Sequence, residues 1–159
     1  MPGQRTFRLP KATLIAALCF LAAAAASFVS AATLTVTNLN DAGANSLRGQ
    51  IATAAANDTI NFAVSGTITL TSGQLSVNKP LTIHGPGSSV LTVSGNDVNR
   101  IFNITDNVSW IDSPVAISGL TLTKGNATPG AWTVCPISGS GGAIFSAESL
   151  TLIDVIIDD

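Results

Sequence analysis

Short stretches of alternating polar and apolar residues dominate the chain after residue 32. Thr33–Thr37 reads T-L-T-V-T, and alternation with a period of two is typical of a strand that buries one face. Short apolar segments follow Asn57, and Gly, Pro, Asn, Ser or Asp separates most of them. We therefore predict further strands at Thr59–Val64, Thr67–Thr71, Gln74–Val77, Leu81–Ile83, Val90–Val93, Ile101–Ile104, Val115–Ile117, Leu120–Thr123, Ala143–Phe145 and Leu150–Ile157.

One segment after residue 32 has the periodicity of a helix. Within Ser46–Ala56, Leu47 and Ile51 are four positions apart and lie on one helical face. Either Asn45 or Ser46 can accept the hydrogen bonds of the first turn. We therefore predict a single short helix there, whose apolar face packs against the strands.

The strand segments repeat along the chain. Val115 aligns with Leu150 at an offset of 35 residues, and apolar residues then coincide at 117 and 152, 120 and 155, and 122 and 157. Shifting back by 34 residues from Val115 overlays Leu81–Gly85 on the same template. A fixed repeat of this kind predicts a solenoid, in which successive coils stack as parallel strands about 4.8 Å apart. We therefore expect an all-β solenoid with Leu, Ile and Val inside and Thr, Ser and Asn outside.

The predicted helix has a place in such a solenoid. The first coil exposes open strand edges and one end of the core, which is an aggregation hazard. A helix beside the N-terminus can cover that end. We therefore expect Leu47 and Ile51 to face the first coil, with residues 32–57 forming an N-terminal strand and capping helix and residues 58–159 forming the coils.

Composition narrows the class of protein. Of the 159 residues, 10% are charged, and 18 Thr, 16 Ser and 11 Asn are present. So few Glu, Lys and Arg residues exclude a coiled coil. A formal net charge of -2 excludes a charge-driven disordered chain and a basic nucleic-acid binder, so we expect no nucleic-acid partner.

The first 31 residues have the order of a secretory signal peptide. Arg5, Arg8 and Lys11 precede the apolar run Ala12–Ala26, and small residues follow it. A membrane anchor is the alternative, because the run can be extended to about eighteen residues. We predict an exported protein, located outside the cell, on the outer cell surface or in the periplasm.

Removal of the predicted signal peptide changes the charge and the cysteine content. Residues 32–159 contain four basic and nine acidic residues, which gives a formal net charge of -5. Cys135 is then the one remaining cysteine. A single thiol in an oxidising compartment is either buried and inert or paired with another chain.

The segment Thr35–Arg48, with the sequence T-V-T-N-L-N-D-A-G-A-N-S-L-R, resembles the start of secreted bacterial right-handed parallel β-helix repeat proteins. Leu81–Gly87, Ile117–Leu122 and Gly141–Phe145 resemble later repeats of that family, while Gln50 stands where Ala is common. The resemblance covers about residues 33–157. It implies a right-handed parallel β-helix with the pectin-lyase-like fold, although a shared fold does not imply lyase chemistry.

Members of that family look like long, secreted or surface-exposed proteins, often with C-terminal anchoring domains. This chain stops at Asp159 within a strand template. The resemblance therefore implies a chain truncated at its C-terminus, which would contact a membrane only through the missing anchor.

Residues that carry chemistry are sparse. His84 is the only histidine and follows a predicted strand, so we expect it at an exposed turn. Asp106 and Asp112 are close in sequence but form no Asp-x-Asp run of the kind that binds calcium, although carboxylates of distant coils can still stack. We predict no catalytic, cofactor-binding or metal-ligating residue and no cofactor. Trp132, in a predicted outward loop at Asn126–Gly142, is a weak candidate for stacking on a glycan.

These observations favour a non-catalytic exported β-solenoid segment with a structural or adhesin-like role at the cell surface. Its expected partners are glycans or components of the cell surface or matrix. The alternatives are a polysaccharide lyase or glycoside hydrolase built on a β-helix, and a passenger fragment of an autotransporter. A groove with three or more carboxylates and an Arg or Lys would favour the enzyme.

Overall fold

The computed structural model describes residues 30–108, 111–127 and 141–158. These residues belong, apart from Ser30, to one unit of the chain, Ala31–Asp159. The predicted signal peptide at 1–31 thus lies outside the described residues except for its last two positions. Trp132 and Cys135 lie outside them as well.

Ten strands and one helix occur within the described residues. In chain order they are β1 (Thr33–Val36), α1 (Leu47–Thr53), β2 (Thr59–Phe62), β3 (Gly66–Thr69), β4 (Leu75–Val77), β5 (Leu81–His84), β6 (Leu91–Ser94), β7 (Phe102–Ile104), β8 (Val115–Thr123), β9 (Ile144–Ser146) and β10 (Leu150–Asp158).

Every strand pairing within these ranges is parallel. A seven-stranded sheet has the order β1-β2-β5-β8-β6-β3, with β10 also paired to β8, and a three-stranded sheet has the order β4-β7-β9. The fold is therefore mostly parallel β-sheet with one short helix, in agreement with the all-β class expected from the sequence.

The predicted register between repeats is confirmed. Val115 pairs with Leu150 on one side and with Leu81 on the other. The later apolar positions also pair as predicted, with Leu120 opposite Val155. The repeat seen in the sequence thus corresponds to strands that are hydrogen-bonded neighbours.

A glycine joins two predicted strands into one. The first half of β8 pairs with β5 and the second half pairs with β6. Gly119 lies between the halves with a φ of 61°, a left-handed conformation that glycine adopts without strain. We predicted a break at Ser118–Gly119, and this was wrong because the glycine bends the strand without ending its hydrogen bonding.

Alternating burial defines the core. It contains aliphatic side chains from both sheets and α1, together with Phe102. In β5, for example, Leu81 and Ile83 are buried whereas Thr82 and His84 are exposed. This inside and outside pattern follows from the period of two in the sequence.

The helix is shorter than predicted and is capped at both ends. Ser46 is its N-cap, and the Gly49 N–H donates to Ser46 Oγ at 3.1 Å. At the other end, Lys79 Nζ donates to the carbonyl oxygens of Ile51 at 3.3 Å and Ala54 at 2.8 Å. These hydrogen bonds satisfy backbone groups that a helix leaves unpaired at its ends.

The apolar face of α1 is part of the core. Leu47 is fully buried and Ile51 is 5% exposed. The helix contacts β1 and β4. Both side chains are therefore packed among the strands, and the role of the helix as a cap stays a prediction.

The last strand is apolar on both faces. Leu152 and Ile157 pair in register with the buried Ile117 and Leu122, yet they are 40% and 57% exposed. Ile153, on the opposite face, is 63% exposed. Among the described residues, β10 thus has an uncovered inner face as well as an apolar outer face.

Candidate functional site

His84 lies at the end of β5 and is exposed. The expected position at a turn was wrong, because His84 still pairs with Asn61 and Ser118 on the neighbouring strands. Its Nδ1 atom is 2.9 Å from Ser118 Oγ. Cross-strand proximity of a register pair accounts for this contact.

A serine hydroxyl beside an imidazole is part of the arrangement that activates a nucleophile, and a third group must orient the ring. Asn61 is the register partner of His84 on the other neighbouring strand, but its buried Oδ1 makes no hydrogen bond within the described residues. Among the residues that the structure describes, the pair of His84 and Ser118 therefore has no orienting contact of the kind that a catalytic triad requires.

Three carboxylates come together near the start of β8. Glu148 Oε1 accepts from the Asp106 N–H at 3.2 Å, and Glu148 Oε2 accepts from the Ser113 N–H at 3.0 Å. Ser113 Oγ donates to Asp106 Oδ2 at 2.8 Å. Asp112 Oδ1 accepts from the Ser149 N–H at 2.8 Å. The sequence indicated the two Asp residues but not Glu148, which lies on the next repeat.

The lowered pKa values of two carboxyls in this acidic cluster indicate a structural role. Hydrogen bonds from Val108 and Ser113 lower the pKa of Asp106, and hydrogen bonds from Ser149 lower the pKa of Asp112. Both carboxyls are thus ionised acceptors at neutral pH, whereas a general acid needs a raised pKa. The cluster holds the backbone of neighbouring repeats together.

No group of three or more His, Cys, Asp or Glu side chains that could hold a metal ion occurs in the part of the chain described here.

The segment before α1 is fixed by an ion pair. Arg48 Nη2 lies 2.7 Å from Asp41 Oδ1, and the Arg48 and Asp41 side chains are 24% and 10% exposed. The second oxygen of Asp41 accepts from the N–H groups of Thr71 at 3.1 Å and Ser72 at 2.7 Å. This carboxylate therefore joins the first turn of the fold to the turn after β3.

Arg48 binds the same region through its remaining donors. Its Nη1 donates to Gln74 O at 2.7 Å and its Nη2 donates to Gly73 O at 2.6 Å. From the sequence, Arg48 is expected to bond helix-end or turn carbonyls, and these two contacts confirm the turn carbonyls. We refer to Asp41, Arg48 and the four residues Thr71–Gln74 as the N-terminal latch.

The latch stabilises the ionised form of Asp41. Partial burial raises the pKa of this carboxyl, but contacts with Ser72, Arg48 and Thr71 outweigh it and hold the pKa well below the ordinary value of 3.8. Hydrogen bonds to a carboxylate favour its charged form in this way. Asp41 thus contributes to stability as an anion.

The free energy of unfolding is expected to fall as the pH drops below about 4. Asp41, Asp106 and Asp112 have lowered pKa values in the folded state, so the unfolded chain binds protons first. The stabilisation of the fold by these three carboxylates is fully present above their pKa values in the unfolded chain. It is lost as the pH falls through their lower pKa values in the folded protein. Urea unfolding midpoints measured between about pH 6 and pH 2 test this. The Asp41→Asn variant should give a flatter profile, and an unchanged profile would contradict the role of Asp41.

The ladder formed by β3, β6 and the second half of β8 carries hydroxyl side chains at alternate positions. Alternate residues of β3, β6 and the second half of β8 pair across the strands, while the residues between them are buried. Two columns result, Thr67–Thr92–Thr121 and Thr69–Ser94–Thr123. Thr67 and Thr69 are exposed, whereas Ser94 is buried. No charged side chain occupies these six positions, so neighbouring strands stack without repulsion between like charges.

Family models, curated proteins and solved structures all gave no match to this chain. Among the described residues, no helix has the length and apolar character needed to span a membrane.

Proposed function

We propose that residues 32–159 form a right-handed parallel β-helix that acts as a non-catalytic, structural or adhesin-like segment of an exported protein. The observation that carries this proposal is that the acidic side chains accept hydrogen bonds that hold the turns in place. The carboxylates of Asp41, Asp112 and Glu148 accept hydrogen bonds from backbone N–H groups of other turns. Asp106 accepts from the Val108 N–H and the Ser113 hydroxyl. Groups that could perform chemistry are thus engaged in holding the turns together.

The pairing pattern supports a solenoid. The chain passes in turn through three ladders, which are β2-β5-β8-β10, β3-β6-β8 and β4-β7-β9. It returns to the first ladder after 34 residues from β5 to β8 and after 35 residues from β8 to β10. Each repeat contacts its neighbours through parallel strands, which is the arrangement of a stacked-repeat protein. Such a stack gives a rigid, extended surface.

Export and adhesion belong to the same proposal. The N-terminal order of charge, apolar run and small residues supports secretion. The uncharged hydroxyl columns, in which Thr67 and Thr69 are exposed, suit glycans or matrix components, because such partners are recognised largely through hydrogen bonds. We expect these partners to be bound outside the cell.

Expression of the full chain in a bacterial host tests export. We expect the protein in the periplasmic or extracellular fraction, shortened at its N-terminus near Ala31. A matched variant lacking residues 1–31 should stay in the cytoplasm. Retention of the uncut full chain in the cytoplasm would contradict the proposal.

Binding and turnover assays on the exported protein separate adhesion from catalysis. We expect retention on cells or on surfaces coated with glycans or matrix, and no product from a panel of acidic polysaccharides. Formation of an unsaturated product, detected by ultraviolet absorbance, would favour the lyase instead. Failure to bind any of these surfaces would contradict adhesion.

A further inference from the structure

A groove of about 300 Å³ lies at the corner after β3 and β6. It is lined by Gly73, Gln74, Val98, Asn99, Arg100, Asn126 and Ala127. These residues come from three separate turns of the chain, which the parallel ladders bring side by side. The groove is distinct from the acidic cluster and from the hydroxyl columns.

Arg100 is held in a fixed position in this groove. Its Nε donates to Gly141 O at 3.2 Å, and its Nη1 donates to Gln74 Oε1 at 3.3 Å. The guanidinium carbon lies 5.3 Å from the centre of the Phe145 ring. A guanidinium has five N–H donors, so three have no partner among the described residues after these two hydrogen bonds.

The positive charge of Arg100 has no carboxylate partner among the described residues. The ion pairs found there join Arg48 to Asp41 and Lys124 to Asp97. A planar guanidinium with adjacent free N–H groups matches a carboxylate, which can accept two parallel hydrogen bonds. The groove therefore presents a positioned and uncompensated cation.

The rest of the lining is neutral. Asn99 Nδ2 donates to Leu70 O at 3.4 Å and Asn126 Nδ2 donates to Asp97 O at 2.7 Å, which leaves the amide oxygens as acceptors. Val98 is 60% exposed and adds an apolar patch. An acidic sugar unit carries hydroxyl groups, C–H groups and a carboxylate. The amide oxygens can accept from the hydroxyl groups, Val98 can contact the C–H groups, and the Arg100 guanidinium can bind the carboxylate.

We propose that this groove binds the carboxylate of a uronic acid unit in an acidic polysaccharide, with Arg100 as the anchoring residue. The inference rests on the proposed adhesive function and names its ligand class. The carboxylate would accept from the free Arg100 donors, while sugar hydroxyls would donate to the amide oxygens of Asn99 and Asn126.

Calorimetric titration of the exported full chain with hyaluronan tests the proposal, with dextran as the neutral control. We expect binding of hyaluronan and none of dextran. Arg100→Gln should weaken binding by about tenfold or more, and Arg100→Lys by about threefold, because Lys keeps the charge but loses the fork. Titration with free glucuronate distinguishes a single-unit site from one that needs the polymer.

Two further variants keep the test independent of folding. Lys124→Gln removes the same charge from an exposed ion pair and should change the affinity by less than about twofold. Val98→Asp, at a largely exposed position, should abolish binding by repelling the carboxylate while the circular dichroism melting curve is unchanged. Equal losses in Arg100→Gln and Lys124→Gln, or binding of sulfated heparin alone, would overturn the proposal. Loss of binding to hyaluronan with continued retention on cells would refute this inference without refuting the adhesive function.

Discussion

Replacing Gly85 by Ala is expected to lower the free energy of unfolding by about 3–4 kcal/mol. The added Cβ would meet the backbone oxygen of Gly119 and the side chain of Leu120 inside contact distance. The backbone cannot move away easily, since the Gly85 N–H donates to Ser118 O at 2.8 Å and the Gly87 N–H donates to Gly119 O at 3.0 Å. The substitution is therefore expected to push apart the two turns that contain Gly85 and Gly119.

Gly43→Ala is the matched control for this prediction. Gly43 has a φ of 101° and no atom within 4 Å of an added Cβ, so the cost is backbone strain alone, about 1–2 kcal/mol. Urea unfolding followed by circular dichroism compares the two variants. Equal losses would show that the close approach of Gly85 and Gly119 does not limit stability.

The Asp41→Asn substitution is expected to cost about 3 kcal/mol of unfolding free energy. It removes the negative charge from a side chain that is 10% exposed and paired with Arg48 at 2.7 Å. Arg48 is then left partly buried without its counter-charge, and the N–H groups of Thr71 and Ser72 lose a charged acceptor. The N-terminal latch thus loses both its electrostatic and its hydrogen-bonding contribution.

Asp97→Asn provides the comparison for the latch. Asp97 pairs with Lys124 at 3.6 Å, and these side chains are 70% and 57% exposed, so we expect a loss of less than about 0.5 kcal/mol. A double-mutant cycle of Asp41→Asn with Arg48→Met should give a coupling energy of about 2 kcal/mol. A coupling near zero would mean that the two side chains stabilise the fold independently.

Much of the strand layout could be predicted from the sequence, because one physical rule acts at every position. Alternate residues of a half-buried strand must be apolar, so Leu81, Val115 and Leu150 identified register partners that are confirmed. The same alternation does not predict how the chain turns a corner between two strand segments. Ser118 and Gly119 indicated a break, since a glycine with positive φ can either end a strand or bend it.

The polar network was much less accessible to sequence reasoning. Arg48 was expected to bond turn carbonyls, but its partners at Gly73 and Gln74 are more than twenty residues away. Glu148 likewise reaches Asp106 and Ser113 only because the parallel ladders bring their turns together. Spacing along the chain does not indicate such contacts, because they depend on which turns the strand register places side by side.

The ladder β1-β2-β5-β8-β10 has a mechanical consequence. Its inter-strand hydrogen bonds point from each strand to the next, so tension between β1 and β10 loads a few bonds at a time and separates the strands one by one. Tension along the strands instead shears all the bonds of a ladder together. A surface protein with this arrangement would resist force most strongly when anchored so that the pull runs along its strands.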